Sequence, residues 1–67
     1  ITIEDTEARA LCSDTCKALF GIRDVRMLPT TDRLTLAREL RRAHRMTARQ
    51  LAAVVRLPEG EIRRFAL

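Results

Sequence analysis

The chain has few of the residues that build sheets, membrane spans and metal centres. It has no Trp, no Tyr and only two Phe among 67 residues, whereas Ala, Leu and Arg are abundant. Because aromatic residues favour strands while Ala, Leu and Arg favour helices, this composition predicts an all-α fold. No run approaches the roughly twenty apolar residues of a membrane span, and no segment resembles a signal peptide. We therefore expect a cytoplasmic protein without a membrane partner.

Cysteine and histidine are also scarce. Cys12 and Cys16 stand four residues apart, and the only imidazole is that of His44. A zinc site needs four ligands, so a carboxylate would have to complete the set. A disulfide within one helical turn is geometrically awkward. We predict no metal and no cofactor, and we interpret both cysteines as small, reduced core residues.

Catalysis has little support in the sequence. The chain has one His and no Tyr, and Ser13 has no evident base. The sequence therefore offers no catalytic set of a nucleophile, a base and a group that orients the base. We expect no enzyme activity from this chain and no small-molecule substrate.

The basic residues are concentrated in the second half of the chain. The formal net charge is +4, and acids outnumber bases over the first twenty residues. From Arg33 onward, nine arginines stand against three glutamates. This asymmetry favours a polyanionic partner, although solvated arginines without a partner are the alternative. The length predicts a single domain over 1–67, and the start at Ile1 suggests a fragment of a longer protein.

An acidic helix is predicted at the N-terminus, over 6–20. Thr6 or Asp5 would be its N-cap, and Gly21 can take the left-handed conformation that ends helices. Small and apolar residues recur at helical spacing between them: Ala8, Leu11, Cys12, Thr15, Cys16 and Leu19. A short helical turn over 22–28 follows, and residues 29–32 then mark a turn and the start of a new helix. We interpret 6–20 as a support helix.

A three-helix unit is predicted over 32–67. Its first helix runs from Asp32 to about His44 and should bury a stripe of residues: Leu34, Ala37, Leu40, and Ala43 or His44, with Leu36 beside it. Outside the stripe lie Arg33, Arg38, Arg41, Arg42 and Arg45. Thr47 suits an N-cap, and Pro58 suits the first turn of the last helix. The whole chain is thus predicted to be a small four-helix or five-helix bundle.

Residues 47–67 have the spacing of a helix-turn-helix. The two helices of such a motif cross at fixed offsets, which here are occupied by the small residue Ala52 and by the apolar residues Leu57, Ile62 and Phe65. In the last helix we expect Ile62, Phe65 and Ala66 to face inward. The turn usually has a left-handed Gly, whereas this chain has Arg56, so either Arg56 takes that conformation or the turn shifts by one residue. An ordinary connection between two core helices is the alternative.

If this motif binds DNA in the usual way, its residues divide into two sets. The candidates for reading bases are Arg63, Arg64 and Glu59, because a guanidinium reaches guanine O6 and N7 together and a carboxylate accepts from cytosine. For Glu59, simple stabilisation of the helix dipole is an equal alternative. The candidates for phosphate contacts are Arg45, Thr47, Arg49, Gln50 and Arg56.

Three short motifs carry a resemblance to a known family. They are Leu40-Arg41-Arg42, Thr47 followed by Arg49-Gln50-Leu51-Ala52, and Ile62-Arg63-Arg64. In these motifs the stretch 32–65 resembles the C-terminal helix-turn-helix region of HUH-type tyrosine transposases, particularly those associated with repetitive extragenic palindromes. The resemblance implies a domain that recognises DNA, as duplex or hairpin, at the ends of a mobile element.

The chain also departs from that family. Val55-Arg56 stands where family members often have Thr-Gly, and the His pair and the Tyr nucleophile of the family's catalytic domain are absent. Any strand cleavage would therefore belong to another part of the parent transposase. A protein-interaction or homodimerisation module is the competing interpretation of the chain, and an interfacial membrane helix at 32–44 is a second one.

Overall fold

The computed structural model describes residues 3–67, and over this range the chain is entirely helical outside its connections. Four α-helices and one 3₁₀ turn follow in order: α1 Asp5–Phe20, η1 Val25–Met27, α2 Thr30–Ala43, α3 Ala48–Val55 and α4 Glu59–Phe65. The predicted all-α bundle is confirmed. No helix within residues 3–67 is long and apolar enough to cross a membrane.

Helix α1 begins slightly earlier than predicted and ends as predicted. Its N-cap is Glu4, whose side chain makes no capping hydrogen bond, rather than Thr6 or Asp5. Asp5 and Glu7 in the first turn favour this start because they complement the positive end of the helix dipole. At the other end, Gly21 adopts the left-handed conformation (φ 72°), which any other residue would adopt at a cost.

The core is formed by one stripe from each helix. Ala8, Cys12 and Cys16 of α1 are buried at i, i+4 and i+8, which confirms that both cysteines belong to the core. The largest fully buried side chains come from all four helices and the α2–α3 connection: Leu36, Leu40, Met46, Leu51, Ile62, Val55 and Cys16. Helix α3 contacts every other helix, so it lies at the centre of the fold.

The stripe of α2 differs from the prediction. Leu36, Ala37 and Leu40 are buried, whereas Leu34 and His44 are only partly buried and Ala43 is exposed. The helix spans Thr30–Ala43 with Pro29 at its N-cap, two residues earlier than predicted. α2 packs on α1, α3 and α4 together, and the face toward these three neighbours is centred between Leu36 and Leu40.

Phe65 is a second correction. It was expected to face inward with Ile62 and Ala66, but 48% of its surface is exposed, while Ile62 and Ala66 are buried. Residues at i and i+4 lie on one helix face, and here Ile62 and Ala66 take that face of α4. Phe65 consequently lies at the edge of the core, beside the Arg64 guanidinium, which is 5.7 Å from the centre of its ring.

Candidate nucleic-acid interface

The turn between α3 and α4 is built around a left-handed arginine. Arg56 has φ 58° and ψ 49°, so the turn does not shift, and Arg56 takes the conformation that usually belongs to Gly. The amides of Arg56 and Leu57 both donate to the carbonyl of Ala52, the latter over 3.2 Å. The Arg56 amide thus makes the 5→1 bond of the αL helix end, and the Leu57 amide makes the 6→1 bond that is typical of a Schellman motif, so both satisfy the same open carbonyl.

The side chain of Arg33 supports this turn from α2. Its Nε donates to the carbonyls of Val25 and Leu28, each over 3.0 Å. Longer hydrogen bonds run from its terminal nitrogens to Arg26 (3.3 Å) and Arg56 (3.4 Å). One guanidinium therefore joins η1 to the turn between α3 and α4. The sequence places Arg33 outside the buried stripe of α2 and gives no sign of this role, because neither charge nor helical periodicity identifies backbone acceptors in other segments.

The start of α3 is fixed by a capping box. The Thr47 hydroxyl accepts from the Gln50 amide and the Gln50 side-chain oxygen accepts from the Thr47 amide, each over 3.1 Å. Thr47 is the predicted N-cap, and this prediction is confirmed. Met46 and Leu51 occupy the two positions of a hydrophobic staple around the cap, and both are buried.

The Gln50 side chain also ties the N-terminal segment to α3. Its Nε2 donates to the carbonyl of Ile3 over 2.7 Å and to Oδ1 of Asp5 over 3.2 Å. With its oxygen in the capping box, the whole amide is engaged inside the protein. Gln50 stays a predicted phosphate contact, but making that contact requires exchanging one of these hydrogen bonds.

A groove between α1 and α3 gathers most of the predicted phosphate contacts. It is open to solvent and has a volume of about 810 Å³. Ten residues line it: Ile3, Asp5, Ala8, Arg9, Thr47, Arg49, Gln50, Ala53, Val54 and Arg56. Four of the five predicted phosphate contacts are among them, and Arg45 is not. Arg9, on the predicted acidic support helix, is a further basic residue of the lining.

The groove continues into a smaller hollow. This hollow has a volume of about 190 Å³ and shares Arg9, Ala53, Val54 and Arg56 with the groove. Arg23 lies at its far side, where it pairs with Asp14 over 3.2 Å. We call the two hollows together the α1–α3 groove.

The three candidates for base contacts lie on α4. Glu59 and Arg63 form an ion pair across one helical turn, with Oε2 accepting from Nε over 3.0 Å and from Nη2 over 2.8 Å. Arg64 lies over the Phe65 ring. Arg63 and Arg64 are exposed, as expected for an outer face, but Glu59 neutralises one of them in the isolated domain.

The buried cysteines offer no reactive site. Burial, together with the nearby Cys16, raises the pKa of the Cys12 thiol to about 11, and burial also raises the pKa of Cys16. The Cys12 thiol points toward the carbonyl of Val54, 3.7 Å away. Among residues 3–67, no three His, Cys, Asp or Glu side chains come together as a possible metal site.

Comparison with known proteins yields no relative. The chain matches no protein-family model, no curated protein and no solved structure. Its relation to the transposase family therefore stays a prediction from three short motifs, and the functional argument depends on the geometry described above.

Proposed function

We propose that this chain is a DNA-binding helix-turn-helix domain without enzymatic activity. The observation that carries the proposal is the α3–turn–α4 unit, in which a left-handed residue follows α3 and the outer face of α4 presents Arg63 and Arg64. Buried Leu51, Val55 and Ile62 are consistent with a fixed crossing of the two helices. A recognition helix that enters the major groove needs such an exposed polar face.

In this proposal the two sets of arginines have different tasks. Those of α4 read base edges, whereas Arg49 and Arg56 in the α1–α3 groove, together with Arg45, neutralise phosphates. The partner is duplex or hairpin DNA, and the parent protein is a cytoplasmic transposase or a related DNA-processing enzyme. The concentration of positive charge in the second half of the chain supports a polyanionic partner.

A titration by fluorescence anisotropy tests the proposal. Labelled duplex, hairpin and single-stranded oligonucleotides are titrated with the whole chain at 50 mM and 200 mM salt. We expect binding to duplex or hairpin DNA that weakens steeply with salt, because each neutralised phosphate releases counterions. The variant R63A/R64A should bind more weakly and lose any preference among duplex sequences. Binding that is unchanged in this variant would mean that α4 is not the recognition helix.

A second candidate function is homodimerisation. Phe65, Leu67 and Met27 are exposed by 48%, 56% and 69%, and the first two are neighbours at the end of the chain. Apolar side chains of this size at a surface are typical of interaction sites when they form one patch. Sedimentation velocity over a wide concentration range separates the two functions. A dimer that forms without any affinity for nucleic acid would favour the interaction module.

A further inference from the structure

We propose that the α1–α3 groove is a clamp for the phosphodiester backbone of duplex DNA, held by Arg9, Arg49 and Arg56. This inference rests on the proposed function and deepens it, because it adds a residue from α1 and assigns the phosphate contacts to one concave surface. Sequence-independent affinity then comes from this groove, whereas α4 supplies selectivity.

The electrostatics of the groove favour an anion. Arg9, Arg49 and Arg56 form no ion pair with any carboxylate among residues 3–67, in contrast to Arg23, Arg26, Arg42 and Arg63, which all do. Three guanidiniums that line one concave surface repel one another, and a bound phosphate relieves that repulsion.

The acids of the groove do not cancel this charge. Asp5 is the one carboxylate that lines the larger hollow, and its Oδ1 accepts from Gln50. In the smaller hollow, Asp24 accepts two hydrogen bonds of 3.0 Å from the Arg26 side chain, and these hold the pKa of Asp24 below its usual value. Its charge is thus matched by Arg26, and the groove keeps an excess of positive charge.

The spacing of the cations suits an extended polyanion. Arg49 and Arg56 are seven residues apart, so their Cα atoms are separated by about 10 Å along the axis of α3. One DNA strand carries a phosphate about every 3.4 Å along the duplex axis, so two cations this far apart can contact different phosphates of the same strand. The small residue Ala53 lies between them in the sequence and also lines the groove, and α1 contributes Arg9 to the same lining.

The composition of the lining points to the backbone rather than to bases. Proteins that bind single strands stack bases on aromatic side chains. The two aromatic residues of the chain, Phe20 and Phe65, do not line the groove. At the N-terminus of α3, the capping box already engages the amides of Thr47 and Gln50. The guanidiniums are therefore the groups that recognise the ligand.

The test compares charge removal inside and outside the groove. R9Q, R49Q and the double variant R9Q/R49Q are titrated with duplex DNA between 50 mM and 200 mM salt. The matched control is R41Q, because Arg41 is exposed on α2, lies outside the groove and makes no side-chain hydrogen bond within residues 3–67. Each groove substitution should reduce the slope of log K against log salt by about 0.9, and the double variant by about twice that.

The outcomes separate the clamp from the function on which it rests. A slope for R41Q that falls as much as that of R9Q would overturn the clamp, because general charge would then explain both. If the groove variants keep the wild-type slope of log K against log salt while R63A/R64A loses binding, the clamp is overturned but the DNA-binding function stands. No wild-type binding to any oligonucleotide overturns both. R9K keeps the charge and should therefore have the wild-type slope of log K against log salt. An unchanged thermal unfolding curve for each variant shows that it is folded.

Discussion

The guanidinium of Arg38 in α2 donates a hydrogen bond of 2.7 Å from its Nε to the carbonyl of Phe65, the last residue of α4. Helix α4 has seven residues and would not be stable alone, since nucleating a helix costs more than so few hydrogen bonds return. A cation at its C-terminus satisfies an open carbonyl and complements the helix dipole. The proposed recognition helix is therefore held at its far end by α2.

Removing this contact should loosen α4. We expect R38Q to lower the free energy of unfolding by about 1 kcal/mol, because a hydrogen bond from a charged donor is lost at a site that water can reach. R41Q, on the same helix but without such a contact, should change stability by less than about 0.5 kcal/mol. Urea denaturation followed by circular dichroism measures both. Equal effects of the two substitutions would argue against a structural role for the Arg38 contact.

A larger loss is expected at Arg33, because its guanidinium serves several backbone carbonyls. R33Q removes two hydrogen bonds of 3.0 Å and two longer ones, and it separates η1 from the helix-turn-helix turn. We expect a loss of about 1–3 kcal/mol. R33K keeps the charge but not the fork of donors, so it should recover only part of the loss in the same denaturation experiment. Full recovery by Lys would show that charge alone matters there.

The left-handed turn should become more stable when Arg56 is replaced by Gly. R56G removes the cost of a side chain at φ 58°, and we expect a gain of about 1 kcal/mol in thermal or urea unfolding. R56A is the matched control, because it removes the same charge but keeps a Cβ in the left-handed conformation. If the clamp is correct, both variants bind duplex DNA with a reduced salt slope. If R56A gains as much stability as R56G, the gain would come from relief of charge repulsion and not from relief of the left-handed conformation.

The ion pair on α4 should restrain DNA binding. E59Q releases Arg63 and removes a negative charge from the proposed recognition surface, so we expect severalfold tighter binding to duplex DNA. E61Q removes the same charge from the same helix turn, but Glu61 forms no ion pair within residues 3–67. Anisotropy titrations should therefore show a smaller effect of E61Q. Weaker binding by E59Q would mean that Glu59 itself contacts the DNA.

Alkaline pH should destabilise the fold through the buried thiols. The pKa of Cys12 rises from an ordinary value near 9 to about 11 on folding. A raised pKa means that the stabilisation is complete below pH 9 and is lost as the pH rises toward 11. Over that window the unfolding free energy should fall by up to about 1.4 kcal/mol per pH unit for this thiol. C12A should show a flatter dependence on pH. Identical profiles for C12A and the wild type would refute the assignment.

Local sequence signals correctly predicted several helix ends and core positions. Thr47 as an N-cap, Gly21 as a left-handed helix end and Ile62 as a core residue all follow from interactions within a few residues. Each depends on a backbone conformation or a helical period that neighbouring residues set, so no tertiary information is needed. The prediction that Phe65 faces inward was wrong. Which of the adjacent residues Phe65 and Ala66 is buried depends on the helix that packs against α4, and local sequence does not show this.

The roles of the individual arginines could not be predicted from the sequence. Net charge identified a basic second half of the chain, but it could not distinguish Arg33 and Arg38, which bind backbone carbonyls, from Arg49 and Arg56, which line an open groove. Arg9 is the clearest case, since its own helix is acidic and only the packing of α1 on α3 brings it to that groove.

The sequence by itself determined the helical class, the N-cap at Thr47 and the helix end at Gly21, because composition, caps and periodicity act over a few residues. The tertiary structure alone decided which arginines donate hydrogen bonds to backbone carbonyls within the protein and which lie together on a solvent-exposed surface. That distinction depends on the distances between segments far apart in the chain, and the burial of the shared core fixes those distances.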